Sequence, residues 1–106
     1  MELHISVRSS DPNLVSQLAQ MKIEGITITK LRTIKEIVNP PVDFILSIAL
    51  SLGVNVAAQL IARKLWEILK GKKETELTIG TQQVQINNIQ VIEQQIINIL
   101  KEEKDE

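Results

Sequence analysis

The chain has 106 residues, 43% of them hydrophobic, and a formal net charge of −1. This is the size of one compact domain with enough apolar material for a core, and the charge balance excludes a general electrostatic pull towards nucleic acid. There is no cysteine, which excludes disulfides and thiolate metal sites, and with one Phe, one Trp and no Tyr the core must be built from Ile, Leu, Val and Ala.

Residues 2–8 alternate. Leu3, Ile5 and Val7 point one way, and Glu2, His4, Ser6 and Arg8 the other, which predicts a strand with one buried face. Asp11 and Pro12 then supply an N-cap and a first helical position. Leu14, Val15 and Leu18 share a face of the short helix that follows, which ends near Met21. After Gly25, the β-branched run Ile26-Thr27-Ile28-Thr29 begins a second strand, over 26–31 and running on towards Ile34. Together these predict a βαβ unit with parallel strands and a right-handed crossover, closed by Pro40-Pro41.

The uncharged run 44–62 dominates the middle of the chain. As a helix it would be about 28 Å long, close to the ~30 Å hydrocarbon core of a bilayer. Asp43, Ser47, Ser51, Asn55, Gln59, Arg63 and Glu67 recur at four-residue steps, and residues so spaced are neighbours on a helix surface. A lipid-facing helix has no use for such a polar stripe. The spacing therefore predicts a helix over 42–70, packed within a soluble domain and stopped by Gly71. A membrane-inserted or interfacial helix is the alternative. Ala49, Gly53 and Ala57, with Leu60 beside them, form a smooth strip on which a second backbone could come close. This strip is the predicted homo-oligomer interface, and equally it could fit against the chain's own sheet.

Leu77, Ile79, Val84 and Ile86 alternate with polar residues and predict a hairpin, strands 76–80 and 83–87, turning through Gly80-Thr81-Gln82. Asn87 or Asn88 can cap a last helix, whose apolar face is Ile89, Ile92, Ile96, Ile99 and Leu100. Residues 101–106 form a charged tail. The predicted architecture is a single α+β domain over 1–106. It is a β-α-β-α-β-β-α two-layer sandwich, with a mixed four-stranded sheet, helices on one face and water on the other.

Little in the sequence carries chemistry. His4 is the one histidine, and an acting histidine needs an orienting partner and a pocket; on the solvent face of a strand it reads as an ordinary surface residue. Glu2 shares that face, but two groups are too few for a metal site. No P-loop, GxGxxG or GxSxG occurs. No catalytic residue, cofactor site or metal ligand is therefore expected, although a small enzyme centred on His4 stays as a third alternative. Arg63, Lys64, Lys70, Lys72 and Lys73 form the one basic cluster. They are candidate contacts for phosphate or anionic lipid, or solvated charge at a helix end. No aromatic stacking residues accompany them, so no nucleic-acid partner is expected. The segment MELHISVR lacks the basic and apolar regions of a signal peptide. The expected location is cytoplasmic, or membrane-associated if the central helix inserts.

The element order also carries a resemblance. A first strand (ELHISV), a short helix and a second strand precede a Pro-marked linker. An Ala/Gly/Leu-rich helix follows, ending in a basic turn with Trp66. A hairpin (ELTIGTQQVQI) and a short helix complete the chain. This resembles the effector-associated constant component domains of bacterial NTP-dependent conflict systems, across nearly the whole chain. Fewer glycines in the central helix and the lack of Asp-Gly in the hairpin turn set it apart from the commoner members. The resemblance implies a non-enzymatic adaptor that acts through protein contacts, with an effector protein as partner, and it carries over no catalytic residue.

Overall fold

The computed structural model describes residues 1–33, 41–72 and 74–104. The elements are β1 (Glu2–Arg8), α1 (Leu14–Ala19), β2 (Ile26–Thr33), β3 (Val42–Ile48), a short 3-10 turn (Leu50–Leu52), α2 (Val54–Leu69), β4 (Glu76–Ile79), β5 (Gln82–Val84) and α3 (Ile89–Lys104). The molecule is α+β, with five strands in one antiparallel sheet of order β2-β3-β1-β4-β5. The predicted continuation of the second strand to Ile34, and Pro40, lie outside the described residues, as do Lys73 and the last two residues of the tail.

The largest departure from the sequence reading is at 42–48. This segment is a strand and not the first turns of a helix. Val42, Phe44, Leu46 and Ile48 are buried, and Asp43, Ile45 and Ser47 lie on the opposite face. The reason is arithmetic. A four-residue step is one helical turn and also two strand repeats, so Asp43 and Ser47 share a face in either structure. Ile45 masks the alternation because it is apolar and sits on the open face. Gly53 then separates the two structures. Its φ of +78° with ψ of 149° lies near a region that only glycine occupies without strain, and its carbonyl accepts the Ala57 N–H at 3.1 Å to begin α2. From there the helical spacing holds: Asn55, Gln59, Arg63 and Glu67 are all exposed. The helix stops at Leu69, just before Gly71 (φ +76°).

Inserting β3 rewires the sheet. β1 and β2 both run antiparallel to β3, so they point the same way as expected, but β3 lies between them. In the same way β1 separates β3 from β4. The two crossovers, β1-α1-β2 and β3-α2-β4, are therefore interleaved split βαβ units, a ferredoxin-like connectivity to which β5 and α3 are added. The predicted mixed sheet of four strands is thus corrected to five antiparallel strands. At ~4.8 Å per strand the sheet is about 20 Å wide between its outer strands, so α2 and α3 fit side by side beneath it.

Burial alternates strictly on β1, where Leu3, Ile5 and Val7 are inside. From α2 the core takes Ala57, Ala58, Ile61, Ala62, Leu65 and Leu69, and from α3 it takes Ile92, Ile96 and Leu100. α2 packs most extensively on α3. The small residues of α2 are therefore consumed within the molecule, where Ala lets helix and neighbour approach. α1 is anchored by Leu14 and Leu18. It begins two residues later than predicted, because Asp11 does not cap it directly; its Oδ1 accepts the Asn13 N–H at 2.8 Å in the turn before the helix. Asn88 does cap α3, its Oδ1 accepting the Gln90 N–H at 2.8 Å.

Candidate functional site

With the described helices over one face of the sheet, a cleft on the other face lies over β1, β3 and β2. Strand register builds it. His4 of β1 opposes Ile45 of β3, which opposes Lys30 of β2; in the next row Ser6 opposes Asp43, which opposes Arg32. His4, Lys30, Arg32, Asp43, Phe44 and Ile45 line a cleft of about 210 Å³.

A β-bulge places the two cations there. The register shifts between Ile28 and Lys30, leaving Thr29 as the extra residue. Without that shift Lys30 would oppose Phe44 and face the core. With it, Leu31 opposes Phe44 on the inside, while Lys30 and Arg32 turn to the open face. Thr29 Oγ1 donates to the Ile45 carbonyl at 3.3 Å across the irregularity. The sequence signal was present: Ile26 and Ile28 keep strand spacing, and Leu31 breaks it by one residue.

Chemically the cleft is modest. Pockets that enclose a small-molecule ligand usually run to about 300–1,000 Å³, so 210 Å³ suits a small anion better than a nucleotide. Arg32 stands opposite Asp43, and Arg8 opposite Glu76, so residues of opposite charge face each other across neighbouring strands. The face therefore carries charges of both signs in neighbouring strands. The cleft brings no Phe, Tyr or Trp ring to the surface on which a base could stack; Phe44 is buried, and the exposed ring is that of His4. Among the described residues no group of three or more His, Asp or Glu side chains could hold a metal ion.

The basic cluster is dispersed. Arg63 and Lys70 are exposed, Lys64 lies 3.8 Å from Glu67, and Lys72 is bonded to Asp11. Lys73 lies outside the described residues. The Lys72–Asp11 pair belongs to a latch between two loops. Ser9, 6% exposed, shares a hydrogen bond of 2.8 Å with Thr75, and its Oγ accepts the Asp11 N–H at 3.2 Å. The Lys72 hydrogen bond, and then that of the Asn13 N–H, hold the Asp11 carboxyl below the usual carboxylate range. Lys72 is thus a structural cation, joining the β1–α1 loop to the α2–β4 loop.

The predicted helical strip does not exist as one surface. Ala49 follows β3, Gly53 is the N-cap of α2, and Ala57 is fully buried. What remains exposed, referred to as the knuckle, is Ala49 and Leu50 (83% exposed) at the 3-10 turn and Val56 (49% exposed) in the first turn of α2, with Leu60 half-buried one turn beyond Val56. Leu50 is the most exposed large hydrophobic residue of the described chain. No helix among the described residues is long and apolar enough to cross a membrane, because the run 44–62 is divided between strand, 3-10 turn and helix.

These features define a small α+β domain with a polar sheet face and exposed apolar residues at the head of α2. Compared with known proteins, the chain matches no family model, no curated protein and no solved structure.

Proposed function

We propose that this protein is a non-enzymatic interaction component that engages a protein partner through the knuckle formed by Ala49, Leu50, Val56 and Leu60. The observation that carries this reading is Leu50, 83% exposed on the 3-10 turn that leads into α2, with Val56, 49% exposed, in the first turn of that helix. Single exposed apolar residues are ordinary, but several within a few residues of one another, carried on a 3-10 turn and a helix, offer an anchor that a partner pocket can accept. The resemblance to effector-associated constant component domains supplies the kind of partner: an effector protein of a bacterial conflict system, met in the cytoplasm. The test is co-expression with the products of neighbouring genes. Leu50→Glu abolishes co-purification while leaving the melting temperature within 2–3 °C of the native value, about the effect of a surface change. Undiminished co-purification of Leu50→Glu removes the knuckle as the contact.

A second reading draws on the cleft. His4, Lys30, Arg32 and Asp43 line a space the size of a small anion, and the two cations there outnumber the one carboxylate. Titration with inorganic phosphate, followed by the His4 ring resonances, tests it; unmoved resonances at millimolar phosphate reject it.

A further inference from the structure

The two edges of the sheet are built differently. The β2 edge carries a bulge and the exposed cations Lys30 and Arg32, devices that discourage pairing with another strand. The β5 edge has neither. From Gln82 to Leu100 the one charged residue is Glu93, in a chain that is 24% charged. Beside the β5 edge runs a groove of about 480 Å³, walled on the other side by α3 and lined by Val84, Gln85, Asn87, Val91, Gln94 and Asn98 among others. Val91 is 44% exposed in it. Depletion of charge is the compositional mark of interface cores.

We infer that β5 and the adjoining flank of α3 form a two-fold interface with a second copy of this chain. The chemistry of the groove selects that occupant. A two-fold axis sets a patch against itself, so a charged patch would repel its own copy. A patch of Gln and Asn is self-complementary, because each amide both donates and accepts. The amides already bond to one another within one copy: Gln94 Nε2 donates to Asn98 Oδ1 at 3.0 Å, and Asn87 Nδ2 to Gln85 Oε1 at 3.4 Å. In a two-residue hairpin the pair beside the turn, Ile79 and Gln82, exchange backbone bonds, so by the alternation of an antiparallel ladder Gln83 turns its N–H and C=O outward. Edge-to-edge pairing at Gln83 would continue the sheet to ten strands, with Val91 of each copy covered by the other. A three-residue strand spans only about 10 Å, and the patch is small beside the ~1,600 Å² of a standard stable interface. The dimer therefore dissociates readily, at tens to hundreds of micromolar (roughly 5–6 kcal/mol of association). This surface is separate from the knuckle assigned to the partner.

Sedimentation of the full chain, with a dilution series of amide resonances, tests the inference. The weight-average mass rises with concentration, and the shifts that move lie at Gln83–Gln85, Asn87, Val91, Gln94 and Asn98. Gln94→Lys weakens self-association at least tenfold, and mixing it with Gln94→Glu restores association between the two variants, which a merely misfolded surface would not do. A chain that stays monomeric at millimolar concentration overturns the inference. So do shifts that map to the knuckle or to Lys30 and Arg32, and so does binding of extended peptides without self-association.

Discussion

Gly80 opens the two-residue turn of the β4–β5 hairpin with φ of +65°, and a Cβ built there would lie 2.8 Å from Ile99 Cδ1 and 3.4 Å from Ile99 Cγ1. Gly80→Ala meets two separate costs. A left-handed backbone costs an L-residue about 1–2 kcal/mol. Moving the Ile99 terminus away from its rotamer costs about 0.5–1.5 kcal/mol. Reduced freedom of the unfolded chain returns about 0.4–1 kcal/mol. The net loss is about 0.5–3 kcal/mol. For a chain of 106 residues an unfolding entropy of ~2.1 cal/mol/K per residue converts this to a fall in Tm of about 2–13 °C. Urea unfolding reads it as a lower midpoint at unchanged m. Ile99→Val removes the Cδ1 that the new methyl meets, so in a double-mutant cycle the two changes cost about 0.5–1.5 kcal/mol less together than their sum. The backbone part of the loss persists. A Gly80→Ala variant within 0.5 kcal/mol of the native protein would refute the turn geometry, and complete rescue by Ile99→Val would leave no cost for the backbone.

Two further expectations bear on the elements that the sequence described least well. Alanine substitutions along β3 should alternate in effect: Phe44→Ala loses about 3–5 kcal/mol and Leu46→Ala about 2–5 kcal/mol as buried residues, while Asp43→Ala and Ser47→Ala lose under about 1 kcal/mol; a loss that recurs every three or four residues would instead restore the helix. The Asp11–Lys72 contact should make stability depend on pH. The folded carboxyl titrates below its unfolded counterpart, so its contribution is present above the unfolded value and is lost as pH falls through the lowered one. Asp11→Asn should therefore be less stable than the native chain at neutral pH and converge on it in acid, and a stability difference that does not change with pH contradicts the pairing.

The sequence by itself determined what depends on local pattern. The alternation of Leu3, Ile5 and Val7 specifies β1 with one buried face. The alternating runs on either side of Gly80 specify the hairpin, although Gln82, expected in the turn, opens the second strand, which stops at Val84, three residues short of the expected 87. The Asn87-Asn88 pair and Gly71 mark where α3 begins and α2 ends, and the structure selects Asn88 as the cap. Residues on the open face, His4 among them, could likewise be assigned to solvent from alternation alone.

Only the tertiary structure decided which pattern wins where two fit, and which strand lies beside which. Asp43 and Ser47 satisfy both a helical and a strand period; pairing on both sides, with Leu3 opposite Leu46 and Ile28 opposite Leu46, satisfies the backbone groups of β3 and settles it as strand. That insertion parts β1 from β2, occupies Ala57 and Ala62 inside the molecule, and leaves Leu50 outside. The bulge at Thr29 is decided the same way, since Leu31 reaches the core only if one residue is left unpaired against β3. The cleft of His4, Lys30, Arg32 and Asp43 and the neutral groove beside β5 both follow from strand order. A sequence period states which side chains share a face, but hydrogen bonds between strands distant in the chain choose whose face lies next to it.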